Sequence, residues 1–361
     1  MIVREDDYLI GVYESDRHGM VKELAKPYEI PTIGYLSDAE YRHMRVLNLV
    51  DVSHSQRFNP IQLKYIPTLQ DAMTLSDRLI EQFWKGKDNM DGFFQIYKEA
   101  AKDFFAASIW FFINYKKMPF KDKNTMLWPE YYTDPQTGHR KLTGRVFDTE
   151  ANRDLAEQLR SQGTSHSYGL VRPKDYYWLG KYSDLPHILS FLCHEYYEIF
   201  EVLKTDAEVF PLLAPFITAY DNKAMEQLGA MLSPLFLMAS HLSIKEVYWV
   251  FHKDGDDFDL SEWELCDYMM LVCGTSHRRF FNVVSHLFCK NEPSEKEWDY
   301  QDEQEFRWAN YQTIKKGLEI EPYKFESEDS KQRILYTCYN QVNQDVEEMI
   351  LEICRPYSVQ R

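Results

Sequence analysis

Two cysteines and two histidines lie within a short stretch of the second half of the chain. Their spacing is C-x3-H-x8-H-x2-C, and the residues are Cys273, His277, His286 and Cys289. Thiolate and imidazole groups gathered in this way are typical ligands of structural zinc. The alternative is that Cys273 lies in a buried strand, where a free cysteine is an ordinary core residue. We favour the alternative and predict no metal ligand in this chain.

A second cluster consists of carboxylates that could bind Ca²⁺. The cluster contains Asp254, Asp256, Asp257 and Asp259. Its spacing does not provide the full ligand set of a calcium-binding loop, which ends in a bidentate Glu. We therefore interpret the cluster as a turn between two strands.

No motif of a known catalytic centre is present. The chain contains neither a G-x-x-x-x-G-K-[S/T] phosphate loop nor a G-x-G-x-x-G fingerprint. His194 and Glu195 begin a string similar to H-E-x-x-H, but the second histidine is missing. There is also no G-x-S-x-G nucleophile elbow. The motifs thus predict no catalytic residue and no cofactor.

Three glutamates could form an acidic docking surface. Glu195, Glu198 and Glu201 are three residues apart, which places them on one face of a helix. Such a stripe could bind a basic protein, or it could be an ordinary solvated face.

Basic residues offer further candidate contacts. Arg278 and Arg279 follow a predicted strand, where they could contact nucleic acid or serve as an arginine finger for a neighbouring subunit. Lys181 is a candidate partner contact. The more ordinary interpretation of each of these residues is an exposed charge without a function.

Composition restricts the class of protein. Among 361 residues there are 41 Lys or Arg and 57 Asp or Glu, so the net charge is −16. This charge argues against direct binding of nucleic acid or of an anionic membrane. The longest apolar run, residues 104–113, is shorter than the roughly 20 residues that span a bilayer. With no signal peptide and no disulfide framework, we expect a cytoplasmic protein.

The first part of the chain has an α/β pattern. Residues 8–13 and 45–50 are short apolar runs typical of buried strands. Residues 19–28 between them predict a helix that ends at Pro27. Together these elements predict one βαβ unit.

A long helical region follows. Apolar periodicity predicts helices over residues 68–84, 91–117, 183–204, 206–220 and 222–242. Residues 119–181 are polar and contain several Pro and Gly, so we expect an irregular excursion there.

The last part returns to the α/β pattern before a final helix. Residues 246–252 and 268–274 predict strands, and residues 279–289 suggest a further helix. Residues 332–355 predict an amphipathic helix at the end of the chain.

Several strings resemble one protein family. The segment from Asn48 and Asp51 through Arg57, Asn59 and Pro60 is similar to the N-x-x-D…S-x-R-x-N-P segment of type IV coupling proteins, the TraG-like ATPases of bacterial conjugation. Further similar strings lie at residues 64–72, 143–148, 177–187, 214–216, 222–228 and 248–260. The greatest similarity is to mobilisation coupling proteins of Bacteroides-type elements, and it covers residues 8–288.

The resemblance implies a RecA-like α/β motor with an all-helical domain inserted between its strands. In the family this domain lies on the cytoplasmic face of a hexameric motor and helps to select the cargo, usually a relaxase–DNA complex. The resemblance also identifies six family-motif residues with a structural role. They are Asn48, Asp51, Asn59, Pro60, Asn222 and Gln227.

The chain departs from this family in its motor. The family's membrane helices, its phosphate loop and the acidic pair after the strand at residues 268–274 have no counterpart. Without these groups, phosphoryl transfer lacks its electrostatic support. We therefore expect no ATPase activity and predict a degenerate relative or a fragment of such a protein.

The predicted fold is an α/β remnant of a RecA-like fold with a large all-helical insertion domain, and it is predominantly α. The predicted regions are an α/β base at residues 1–66 and 244–290, the insertion at residues 67–243, and a charged linker with the final helix at residues 291–361. An incomplete sheet would leave apolar surface exposed, so we expect it to be covered by residues 299–361, by a partner protein or by a second copy of the chain.

The predicted function is recognition of cargo or of a relaxosome component in conjugative DNA transfer. The expected partners are a relaxase, an accessory protein or a full-length coupling ATPase, at the inner face of the membrane. Two alternatives remain open at this point. The chain could be a subunit that completes an ATPase assembly in trans, or a binding protein repurposed by another secretion or mobile-element system.

Overall fold

The computed structural model describes about three fifths of the chain, and helices predominate in that part. The described residues are 8–15, 21–23, 44–85, 92–120, 128–133, 140–147, 177–255, 257, 268–274, 283–284, 287 and 323–358. The prediction of a predominantly helical protein is therefore confirmed for these residues.

A small mixed sheet contains the two strands between which the main helices are inserted. Its strands are β1 (Tyr8–Ser15), β2 (Val21–Glu23), β3 (Met44–Asn48) and β8 (Tyr268–Gly274), in the order β2-β1-β8-β3. β8 pairs in parallel with β3 and antiparallel with β1. Strands β3 and β8 are therefore neighbours, although most of the described helices separate them in sequence.

The predicted βαβ unit is wrong. β8 lies between β1 and β3, and β1 runs antiparallel to β8, so β1 and β3 are not parallel neighbours. The helix predicted over residues 19–28 is also wrong at β2, which pairs with β1 as an antiparallel ribbon. A helix of this length is not stable by itself, and pairing with β1 makes residues 21–23 a strand instead.

Two long helices begin the helical region. Helix α1 (Leu69–Trp84) starts with a reciprocal capping box between Thr68 and Asp71, which satisfies two backbone N–H groups. Helix α2 (Gly92–Asn114) contains the apolar run 104–113, and all ten of these residues are buried. A helix that is apolar on every side belongs in the middle of a bundle, as predicted.

Four shorter helices complete the bundle. They are α3 (Leu185–Phe191), α4 (Tyr196–Leu203), α5 (Phe210–Asp221) and α6 (Met225–Leu242). The single helix predicted over residues 183–204 is wrong, because α3 ends in two tight turns. In these turns Cys193 N donates to Ser190 O and His194 N donates to Phe191 O.

The strand predicted over residues 246–252 is also wrong. Those residues form helix α7 (Lys245–Val250), in which Val247, Tyr248 and Val250 are buried. A short run of β-branched and aromatic residues does not by itself distinguish a buried strand from a buried helix. Here the packing of α7 against the last helix decides between them.

The excursion predicted for residues 119–181 contains strands in its described parts. Strands β4 (Met118–Phe120) and β7 (Tyr177–Leu179) form one antiparallel pair, and β5 (Trp128–Thr133) pairs with β6 (Arg140–Phe147). The inserted region is therefore not all-helical. The pairings join residues that are distant in sequence or interrupted by a bulge, which local patterns do not reveal.

The last helix crosses the bundle and contributes to its core. Helix α8 (Glu328–Ser358) packs against α3, α4 and α7. Its buried apolar residues recur at helical spacing on one face: Leu335, Val342, Val346, Met349 and Ile350. One continuous core contains residues of β3, β8, the bundle and α8.

Candidate functional site

The first family-motif residues shape the chain immediately after β3. Asn48 is fully buried, and its Oδ1 accepts hydrogen bonds from Val50 N and Asp51 N at 3.0 and 2.9 Å. Asp51 in turn caps the short helix Val52–His54 and accepts from His54 Nδ1 at 2.7 Å. These side chains replace the ladder bonds that the backbone loses where the strand ends.

The next motif residues connect this turn with the start of α3. Asn59 is fully buried, and its Nδ2 donates to Ser183 O at 2.8 Å, while its Oδ1 accepts from Ile61 N at 3.0 Å. Pro60 is buried beside it. Ser183 directly precedes Asp184. The hydrogen bond from Asn59 therefore fixes the backbone next to the buried carboxylate described below.

Asp184 is the centre of a buried polar cluster that also contains His187, His252 and Asp345. It is the N-cap of α3, and its Oδ1 accepts from His187 N at 2.8 Å and from His187 Nδ1 at 2.6 Å. Its Oδ2 accepts from Lys253 N at 2.9 Å. A capping Asp thereby also holds a charged imidazole and the chain after α7.

His187 lies between two carboxylates. Its side chain is fully buried, and its Nε2 is 3.5 Å from Asp345 Oδ2 of α8. One face of its ring stacks on Tyr182 with centroids 4.9 Å apart. The imidazole therefore connects the beginning of α3 with the middle of the last helix.

His252 completes the buried polar cluster. It is 8% exposed, its Nδ1 accepts from Asp254 N at 3.2 Å, and its Nε2 is 4.0 Å from Asp184 Oδ2. One donor atom each from Asp184, His187 and His252 can be chosen so that all three lie within 4.8 Å of one another. Two imidazoles and a carboxylate form a ligand set that suits a divalent transition metal.

The electrostatics of the cluster favour an ion pair at one histidine and a neutral ring at the other. Burial by itself raises the pKa of Asp184, but the charges and hydrogen bonds of His187 and His252 outweigh it and lower that pKa to about 2. Burial lowers the pKa of His187, and the charge of Asp184 more than reverses this effect. For His252 burial prevails, and its pKa is lowered.

The predicted acidic stripe lies at the end of the bundle where α4 meets α8. Glu195 is the N-cap of α4 and is exposed. Glu198 lies 3.4 Å from His194 Nδ1, and Glu201 forms an ion pair with Lys204 at 2.7 Å. Each of these pairings is internal to α4 or its cap and is accessible to solvent.

Helix α8 extends this acidic surface. This helix packs against α4. Burial, and then the charges of Glu201 and Glu198, raise the pKa of the Cys354 thiol near the end of α8. Glu347 and Leu351 lie seven and three residues before Cys354, on the same side of α8, and both are exposed. We call the combined area the α4–α8 surface, defined by Glu195, Tyr197, Glu198, Glu201, Glu347 and Leu351.

The other described candidates lie elsewhere. Lys181 is exposed, and its Nζ lies 4.6 Å from the centre of the Tyr182 ring, beside the buried polar cluster. Asn222 is the C-cap of α5, and Gln227 lies in the first turn of α6; both are exposed. Neither belongs to the α4–α8 surface as defined.

Several predicted candidates lie outside the described residues. They include Arg278, Arg279, His277, His286, Cys289, Asp256 and Asp259. Of the C-x3-H-x8-H-x2-C string only Cys273 is described, and it is buried in β8. Of the aspartate cluster, Asp257 accepts hydrogen bonds from Arg57 N and from Tyr323 Oη at 2.7 and 2.8 Å.

The buried polar cluster was not predicted as a site. His187 lies in the first turn of α3, directly after the N-cap Asp184, and this D-x-x-H string is visible in the sequence. His252 and Asp345 are 65 and 158 residues from His187, so only the packing of α7 and α8 could bring them there.

No helix among the described residues combines the length and the apolar character needed to cross a membrane. No protein-family model, curated protein or solved structure matches the chain.

Proposed function

We propose that this chain is a protein-recognition module of a conjugative DNA-transfer system and that it binds a basic cargo or relaxosome protein through the α4–α8 surface. The proposal combines the resemblance to type IV coupling proteins with one structural observation, the packing of α8 against α4, two helices that both carry exposed or partly exposed carboxylates. A RecA-like origin of the sheet is part of the same proposal.

The position of the helices in the chain supports this origin. Helices α1 to α7 leave the sheet after β3 and return at β8, and these strands are parallel neighbours. An α/β motor that carries a helical insertion between adjacent strands has this arrangement. Helix α4 belongs to this inserted bundle, and α8 packs against it.

The α4–α8 surface has the character of a docking site for a basic partner. Tyr197 of α4 and Leu351 of α8 are 50% and 46% exposed, and each shares its helix with exposed or partly exposed carboxylates of this surface. Exposed aromatic and aliphatic side chains supply the apolar contacts of an interface, and charges at the rim guide the partner and set its orientation. The two hydrophobic residues would contact the partner's apolar anchor, while the glutamates would pair with its Lys or Arg.

The test is quantitative affinity purification of the tagged chain from its native cell. Wild type is compared with the triple variant Glu195→Lys, Glu198→Lys and Glu347→Lys. We expect recovery of a relaxase or relaxosome accessory protein to fall at least about tenfold, because three attractive charges become repulsive. Binding by the wild type should also weaken as the salt concentration rises.

The matched control is Glu226→Lys in the first turn of α6. Glu226 is exposed like Glu195 and occupies a helix N-terminus like Glu198, but it is not part of the α4–α8 surface. Equal recovery from the triple variant and the wild type would exclude this surface. Recovery of a coupling ATPase without any relaxosome protein would exclude the cargo-recognition role.

A further inference from the structure

The buried polar cluster brings together four metal-ligating side chains from four different parts of the fold. Asp184 precedes α3, His187 lies in its first turn, His252 follows α7, and Asp345 belongs to α8. The side chains of Asp184 and His187 are fully buried, and that of Asp345 is 21% exposed. Such a set is costly to bury unless it is fully paired or holds an ion.

One nitrogen in the cluster has no hydrogen bond among the described residues. His252 Nδ1 accepts from Asp254 N, but Nε2 is 4.0 Å from Asp184 Oδ2, beyond hydrogen-bonding distance. This side chain is directed towards the same carboxylate that His187 contacts. A tetrahedral zinc ion holds such donors about 3.4 Å apart. The donors of Asp184, His187 and His252 lie within 4.8 Å of one another, so His252 would move towards the ion and the 2.6 Å contact between Asp184 and His187 would lengthen.

The neighbouring charges are consistent with a bound cation. Two carboxylates, Asp184 and Asp345, flank the single imidazole of His187. The backbone N–H of Lys253 already holds Asp184 Oδ2 in place, as outer contacts do for ligating carboxylates. A divalent ion would take the place of the imidazole proton that now balances these carboxylates.

From this geometry we propose that Asp184, His187 and His252 form a site for a divalent transition-metal ion such as Zn²⁺. Two imidazole nitrogens and one carboxylate oxygen suit such an ion, with water as the fourth ligand. Asp345 would be an outer partner, because it contacts Nε2 of His187 while Asp184 contacts Nδ1 of the same ring. The ion would join the start of α3 to the chain after α7, and His187 would link this site to Asp345 of α8. This inference does not depend on the proposed function.

The test uses the full chain without an oligohistidine tag, stripped with a chelator. After incubation with Zn²⁺ and gel filtration, elemental analysis should find one zinc ion per chain. At a hundredfold excess over Kd, Zn²⁺ should raise Tm by about 4 °C or more, and a chelator should reverse this shift. Co²⁺ should produce the visible absorption of a tetrahedral complex, which reports the ligand geometry directly.

His252→Gln should abolish the Tm shift and the cobalt spectrum, whereas His241→Gln should retain both. His241 is an exposed histidine of α6 whose ring packs on Phe83. If His252→Gln does not fold, the wild-type titration is decisive by itself. Failure of the wild type to retain Zn²⁺ or to respond to it would overturn the proposal, as would full retention by His252→Gln.

Discussion

Asp184 Oδ1 and His187 Nδ1 lie 2.6 Å apart, and both side chains are completely buried. The same carboxylate begins α3 and holds the chain after α7, while the imidazole reaches Asp345 on α8. The pair therefore joins segments that are far apart in sequence. Its protonation should affect the stability of the whole bundle.

The pair predicts a maximum of stability in mildly acidic solution. The pKa of Asp184 is about 2 in the folded chain, against about 3.9 for an unfolded Asp. Its stabilisation is therefore present above pH ~4 and is lost as the pH falls towards 2. The pKa of His187 is raised, so its stabilisation is complete below pH ~6.5 and is lost as the pH rises through that raised value.

Urea unfolding at a series of pH values, with a chelator present, checks this prediction. In His187→Gln the free energy of unfolding should depend less on pH, both on the acidic side and near neutral pH. The substitution removes the partner of Asp184 and the titrating imidazole together. His54→Gln is the control, since His54 is paired with Asp51 in a short surface helix. A profile that is identical in the wild type and His187→Gln would contradict the assignment.

Gly180 and Gly229 should respond in opposite directions to alanine. A Cβ at Gly180 would lie 2.8 Å from Ile113 O and closer still to Phe112 O, so the backbones would have to separate. We expect Gly180→Ala to cost about 1–3 kcal/mol, as overpacking does. A Cβ at Gly229 meets only Tyr196 Oη at 3.8 Å, so Gly229→Ala should stabilise α6 by about 0.5–1 kcal/mol.

Chemical denaturation of both variants measures the difference. If Gly180→Ala left the stability unchanged, the end of α2 and the segment before α3 could move apart at no cost. The Gly229 variant controls for the general effect of removing a glycine on the unfolded chain.

Arg57 should stabilise the contact between the motif segment and α7. Its Nε donates to Trp249 O at 2.9 Å, and its guanidinium lies 4.1 Å from the centre of the Trp249 ring. The residue is 8% exposed. We expect Arg57→Ala to cost about 2 kcal/mol, because a charged hydrogen bond and a desolvated cation–π contact are lost together.

Lys245→Ala is the comparison for this variant. Lys245 Nζ lies 5.6 Å from the centre of the Tyr336 ring, and Tyr336 is 55% exposed. That solvated contact should contribute less than about 1 kcal/mol. Equal unfolding midpoints for the two variants would contradict the role assigned to Arg57.

Two polar contacts of α8 should differ in strength. Lys116 forms an ion pair with Glu352, but both side chains are about half exposed, so Lys116→Ala should cost less than about 1 kcal/mol. Asn343→Ala should cost about 1–3 kcal/mol, because it leaves the buried Ser190 hydroxyl without its acceptor, 2.6 Å away. Urea unfolding at low and high salt distinguishes them, since only the exposed pair should be sensitive to salt.

Local patterns predicted the elements that have a clear beginning and period. The apolar periodicity of residues 68–84 predicted α1, and the apolar run 104–113 predicted the buried middle of α2. Local patterns failed where a short apolar run could form either a strand or a helix. Residues 246–252 have strand composition, yet they pack as a helix between the bundle and α8.

The sequence by itself determined which residues would be capping, apolar or charged, because those properties depend on the side chain and its near neighbours. It placed Glu195, Glu198 and Glu201 close together, and it displayed the spacing of Asp184 and His187. Only the tertiary structure decided that β8 lies between β1 and β3 and that α8 extends the acidic surface. It also brought His252 and Asp345 to the buried carboxylate, because contacts across such sequence distances depend on how whole elements bury their apolar faces.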